Sequence, residues 1–287
     1  MFDTILVPID DSPGSQRAFE AAATLAKQYG SAVHVLAVVD EHGPSDGEWD
    51  YDGDSPAAAF LDEQSDAADG IEVTSAVREG VVHEEILDYA DERGVDLVVM
   101  GTHGRTGVRR YLLGSVTEKV VRLSDVPVLS VKADAEPGGV RFDDILLPTD
   151  GSSGAEAAIE PTAALAGETD ATVHVLSAVD TRSLGIDVGS TVIIDELESI
   201  AEDAVATASE RLYDQGVGAV KTAVAHGIPY RVILQAIDDN DVDLVVIGTH
   251  GRTGIDRYLL GSVTEKLVRT APVPVLTVRS ADAGDEA

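Results

Sequence analysis

At 287 residues the chain exceeds the usual size of one domain, so two domains of near-equal size are expected, each long enough to bury its own core. Its 52 acidic residues against 20 basic, with only five lysines, leave a formal net charge of −32; this makes nucleic acid and anionic membranes, which are bound through clustered Lys and Arg, poor partners, and fits a salt-loving host whose ions screen the repulsion. There is no cysteine for disulfides, thiolate metal sites or thiol catalysis, no apolar run approaches the roughly 18 residues of a membrane span, and the start Met1-Phe2-Asp3-Thr4-Ile5 lacks export-signal character, so the cytoplasm is the expected compartment.

Short β-branched runs alternate with amphipathic segments along the chain, the pattern of a parallel sheet with crossover helices. The first strand is predicted over 4–9, then a helix capped by Ser12 with Pro13 at its first position and Gly30 past its end. A second strand over 32–39 leads into an acidic stretch, 46–54. Asp50, Asp52 and Asp54 alternate there as in a calcium loop, but glycine falls at position four and Leu61 at position 12, so a solvated loop is expected. A short helical run over 57–68, a strand over 72–77, a helix ended by Gly94, and a strand over 96–100 follow. After the glycine-containing segment from Gly101, a helix is predicted from Val116, then a last strand over 126–131.

The same series then begins again. GTHGRTGVRRYLLGSVTEKVVR from Gly101 returns from Gly248 as GTHGRTGIDRYLLGSVTEKLVR, identical at 19 of 22 positions, and ILVPIDDS from Ile5 returns from Ile145 as ILLPTDGS. A repeat this long is a domain duplication. Domains over 1–132 and 141–287 are expected, joined by a Pro- and Gly-containing linker at 133–140. In the second copy Pro161 falls inside the first helix and should kink it, and a long second helix is predicted over 192–215. The first copy has only its short run there.

In an open parallel sheet a ligand sits beyond the carboxyl ends of the strands. Gly101 and Gly104, then Gly114-Ser115, follow the fourth strand of copy one, and Gly248, Gly251 and Gly261-Ser262 repeat the spacing. Phosphates need close backbone N–H groups, turns that admit positive φ and a helix N-terminus, which these residues supply. Arg105 and Arg252 can add charge. Neither a Walker loop nor GxGxxG is present. The competing reading is a capping box, Ser115 with Glu118 and Ser262 with Glu265, which explains Ser and Glu but not the upstream glycines. Asp10 and Asp150, at the ends of the first strands, suit ribose hydroxyls or a base edge, or simply a helix start. Val38 and Ala178 end the second strands, where backbone polar groups can hold adenine, although a plain core role is the ordinary reading of isolated apolar residues. His103 and His250 lie in the glycine turn, with a loop role favoured over that of a general base.

These residues resemble the universal stress protein family in its ATP-binding form: Gly-x2-Gly-x9-Gly-Ser, the strand-ending Asp after Ile-x-x-Pro-x, and LLGSVTEK, twice over. The resemblance implies two tandem Rossmann-like α/β domains, each an open five-stranded parallel sheet of order 3-2-1-4-5. It implies ATP across the strand ends; Mg2+ or Mn2+ held through the phosphates is the companion expected of such a nucleotide. Asp10, Val38, Gly101, Gly104, Arg105, Gly114, Ser115, Val116 and Thr117 would contact it in copy one, and Asp150, Ala178, Gly248, Gly251, Arg252, Gly261, Ser262, Val263 and Thr264 in copy two. It further implies that the last strands pair within the chain as a pseudo-dimer and leaves a homodimer open. An adenine nucleotide and a protein partner are the expected ligands. No metal-binding cluster, nucleic acid or membrane is expected.

The function expected is a nucleotide-dependent stress or signalling module in which ATP selects a conformation. The alternatives are a slow ATPase or nucleotidyl-transferring enzyme using His103 or Asp10, and a structural dimerisation module. Copy two, with its complete second helix, is expected to fill first.

Overall fold

The structure, a computed structural model, describes residues 2–10, 12–40, 56–102, 113–134, 140–180, 191–251 and 260–280. It divides into two compact units, Met1–Val140 and Arg141–Ala287.

Unit 1 runs β1 (Thr4–Ile9), α1 (Pro13–Tyr29), β2 (Ala32–Val39), α2 (Pro56–Glu63), α3 (Ser65–Ala68), β3 (Glu72–Glu79), α4 (Val82–Arg93), β4 (Leu97–Gly101), α5 (Ser115–Leu123) and β5 (Val128–Val131). Its strands stand in the order β3-β2-β1-β4-β5 and all pair parallel. The central strands are unbroken apolar runs because helices cover both faces: Ile5, Leu6 and Val7 on β1 and Leu97, Val98 and Val99 on β4 are all buried. On β3, at the sheet edge, most residues are exposed.

Helix α1 begins where the sequence predicts. Ser12 Oγ accepts from Ser15 N at 3.2 Å, Pro13 occupies the first turn, and Gly30 closes the helix at φ 72°, its N–H bonding Ala26 O. Phe19 from its buried stripe meets Phe60 of α2 edge-on, ring centroids 5.6 Å apart. The last strand starts at Val128, not 126, because Pro127 has no N–H to give the ladder; its carbonyl accepts from Val98 N instead.

Unit 2 repeats the plan with β6 (Asp144–Pro148), α6 (Ser153–Ala157), α7 (Ile159–Thr169), β7 (Thr172–Val179), α8 (Thr191–Asp214), β8 (Ala219–His226), α9 (Pro229–Asp239), β9 (Leu244–Gly248), α10 (Ser262–Thr270) and β10 (Val275–Val278). The order is β8-β7-β6-β9-β10, again parallel. The kink expected from Pro161 is a break at Ala158, whose N–H bonds Ala155 O three residues back at 3.2 Å. Pro161 brings no N–H to the carbonyl of Ala157, so the helix restarts. The long second helix is α8, 24 residues, where unit 1 has the broken pair α2 and α3.

One equivalent pair has diverged inside the units. His34 Nδ1 lies 3.0 Å from the hydroxyl of buried Tyr89, whereas His174 Nε2 lies 2.7 Å from Asp144 Oδ1. Among the described residues no helix is long and apolar enough to cross a membrane.

Candidate functional site

The chain leaves β6 through Thr149, whose N–H bonds Leu176 O of β7, and reaches Asp150 at the carboxyl end of the sheet. Asp150 Oδ1 accepts from Ser152 N at 3.0 Å, and Ser152 Oγ in turn accepts from Ala155 N at 3.2 Å. The carboxylate therefore organises the start of α6, the helix-start role weighed for it in the sequence. Its other oxygen faces the opposite wall: a Cβ on Gly251 would stand 2.8 Å from Asp150 Oδ2.

That opposite wall is the segment after β9. Thr249 N bonds Val278 O at 2.9 Å and Gly261 N bonds Thr249 O at 2.8 Å, so the chain departs and returns at one neck. Thr264 Oγ1 donates to Gly248 O at 2.7 Å, locking the first turn of α10 onto the end of β9. The equivalent bonds recur in unit 1: Ser12 N and Oγ to Asp10 Oδ1 at 3.2 and 2.5 Å, Gly114 N to Thr102 O at 2.8 Å, and Thr117 Oγ1 to Gly101 O at 2.8 Å. Thr117 and Thr264 are buried and spend their hydroxyls on this lock.

The capping-box reading does not survive. Gly114 and Gly261 are the N-cap residues, at φ −60° and −57°, with no side-chain cap; Ser115 and Ser262 are one residue further on, inside the helix. The carbonyls of Thr102 and Thr249 pin the glycine N–H groups, which fixes the helix start one residue earlier than a serine cap requires. Glu265 pairs with Arg269 at 3.1 Å instead of reaching back. The exposed serine hydroxyls and first-turn N–H groups thus face out of the helix start with no capping side chain, the arrangement that receives an anion.

Between the walls of unit 2 lies a cleft of about 230 Å³. Pro148, Leu176, Ala178, Pro229, Ile233 and Ile247 give it apolar surface, and Asp150, His250, Gly251 and the Gly261–Thr264 turn give it polar groups. Few polar groups on an apolar floor is the usual make-up of a small-molecule site. Of the residues expected to act in copy two, Asp150, Ala178, Gly248, Gly251, Gly261, Ser262, Val263 and Thr264 line this one cleft. In unit 1, Val38 pairs with Arg78 at the end of β2, near the same strand ends as Asp10 and Gly101. Gly104, Arg105, Arg252, His103 and the acidic loop 46–54 lie outside the described residues.

Two glycines of the motif have a role that phosphate chemistry did not suggest. A Cβ on Gly101 would stand 2.6 Å from the carbonyl carbon of Gly14, and one on Gly248 would collide with Gly154 O. They let the first helix of each unit touch the end of the fourth strand backbone to backbone. Gly14 and Gly154 were not singled out from sequence, although each falls four residues after the strand-ending Asp in its copy. Pro229 and Ile233, on α9, were missed because their helix is remote in sequence from every motif.

The model of the universal stress protein family matches residues 1–132 and 141–279. A universal stress protein of Methanocaldococcus jannaschii is 33% identical over 141 residues, 46% of this chain and 83% of that protein; one of Synechocystis is 38% identical over 135 residues, 46% and 86%. Among solved structures, a universal stress protein from Archaeoglobus fulgidus superposes with a TM-score of 0.67 at 22% identity, over 97% of this chain and 99% of that one. A functionally unknown protein from Pseudomonas aeruginosa does so at 0.69 and 21%, over 98% and 94%. The single-domain relatives match half of the chain and the structures match both halves in tandem, with the same parallel α/β sheet. With two copies of the family's domain filling its length, the chain belongs to the universal stress protein family.

Proposed function

We propose that this chain is a nucleotide-binding stress or signalling module whose clefts take ATP and whose bound state selects a conformation or a protein partner. The observation that carries the reading is the helix start Gly261–Ser262, without a side-chain cap, across an apolar cleft from Asp150. Asp150 would hold ribose hydroxyls, the end of β7 at Ala178 the adenine, and Gly248, Gly251, Gly261, Ser262 and Val263 the sugar and phosphates. Asp10, Val38, Gly101, Gly104, Gly114, Ser115 and Val116 would do so in unit 1, with Arg105 and Arg252 adding charge. When bound, the phosphates would bring their own Mg2+ or Mn2+. His250 Nδ1 lies 3.0 Å from Thr249 Oγ1, an engagement that supports a loop role for the imidazole.

Calorimetric titration of ATP in molar KCl tests the assignment with Gly114→Val and Gly261→Val. Each should remove one of two sites, because a branched side chain at the N-cap covers the helix start. Unchanged stoichiometry in both variants refutes the site. ATP hydrolysis that is lost when His103 and His250 are both replaced by alanine would favour the enzyme reading instead.

A further inference from the structure

Acids heavily outnumber bases in this chain, yet among the described residues not every cation holds a carboxylate. Arg17, Arg78, Arg141, Arg211 and Arg269 each sit on an acidic side chain. Arg231 does not. Its guanidinium lies 5.8 Å from the Tyr230 ring centroid and its Nε donates to the Tyr230 hydroxyl at 3.0 Å, while Lys266 Nζ stands 4.7 Å from the same ring. Among the described residues neither Arg231 nor Lys266 has an ion-pair partner. The ring face offers each a cation–π contact and gathers two like charges into one place.

That place adjoins two helices, α9 and α10, that line the unit 2 cleft through other residues. Tyr230 follows Pro229, which lines the cleft, and Lys266 lies four residues after Ser262, on the same face of α10 with its side chain leaning toward the helix start. The hydrogen bond from Arg231, and after it the charges of Arg231 and Lys266, hold the Tyr230 phenol below its ordinary pKa. Unit 1 has His83, Glu84 and Lys119 at the equivalent positions; His83 Nε2 is 4.0 Å from Glu84 Oε1, so a carboxylate stands where unit 2 has Arg231.

We propose that Arg231 and Lys266 receive the terminal phosphate of the nucleotide in the unit 2 cleft, making that site selective for long phosphate chains while Glu84 denies unit 1 the same preference. The inference rests on the nucleotide reading above and names which residues measure chain length. Both cations are exposed, so replacing them leaves the core untouched.

The test titrates AMP and ATP into the full chain carrying Gly114→Val, in molar KCl. Arg231→Glu or Lys266→Gln should weaken ATP about tenfold and AMP less than about twofold, the size of one lost charge-assisted bond to the terminal phosphate. In the Gly261→Val background, Glu84→Arg should tighten ATP by a similar factor and leave AMP alone. Equal changes for AMP and ATP, or none for ATP, overturn the proposal while leaving the nucleotide reading standing. Failure of the Gly114→Val chain to bind either nucleotide, when the same chain remains folded by circular dichroism, overturns both.

Discussion

Replacing Gly248 with alanine drives a methyl group into the backbone of α6. The new Cβ would stand 2.5 Å from Gly154 C and 3.0 Å from Ala155 N, and nearer still to Gly154 O. Carbon atoms in contact keep about 3.5–4.0 Å apart, so the start of α6 has to retreat by about 1 Å. Such overpacking costs about 1–3 kcal/mol. Ser152, which caps α6 and is held by Asp150, retreats with it and takes the carboxylate away from Gly251. Gly167→Ala is the matched control: it lies within α7 with nothing inside 4 Å, and removing a helical glycine should add about 1 kcal/mol. Denaturant midpoints measured in molar KCl give both values. ATP titration of the same samples should show weaker binding for Gly248→Ala alone. If Gly248→Ala is as benign as Gly167→Ala, the backbone contact that aims Asp150 is not present and the reasoning fails. Gly101→Ala, 2.6 Å from Gly14 C, should behave like Gly248→Ala in unit 1.

Serines at superficially similar places should separate. Ser12→Ala removes a cap and should cost about 1 kcal/mol, whereas Ser262→Ala, one residue inside α10 with no capping bond, should leave the thermal midpoint unchanged and weaken only nucleotide binding. The half-buried His34 has its pKa lowered from the ordinary 6.5, first by desolvation and then by Arg93, with Glu72 opposing. The unfolded chain therefore takes up a proton that the folded one resists. Its contribution to stability is complete above pH 6.5 and is lost as pH falls toward the lower folded value; His34→Gln should flatten the decline in thermal midpoint on that side, and an unchanged pH profile would count against it. Finally, a net charge of −32 predicts that the thermal midpoint rises as KCl is raised from low salt, with unscreened carboxylate repulsion as the cause.

Local chemistry was legible wherever it acts between neighbours in sequence. Ser12, Pro13 and Gly30 mark the ends of α1 because caps and left-handed turns involve residues a few positions apart. Pro161 marks the break at Ala158 for the same reason, since the missing N–H and its carbonyl lie four residues apart. The parallel sheet followed from the alternation of strands and helices and its strand order only from the family resemblance, while the residues flanking the cleft followed from the repeated glycine spacing. The competing Ser-x-x-Glu reading fails because a capping box is a pattern of adjacent positions, whereas the start of α10 is set by Thr249 O, twelve residues before Gly261.

By itself, the sequence determined that there are two α/β domains, where their strands lie, and which residues end them beside a glycine motif, because hydrophobic period and turn chemistry are written in adjacent positions. Only the tertiary structure decided that Gly101 and Gly248 serve a backbone contact, that Pro229 and Ile233 complete the cleft, and that Arg231 shares one ring with Lys266. Each of those depends on distances between segments far apart in the chain, which packing sets and no local propensity encodes.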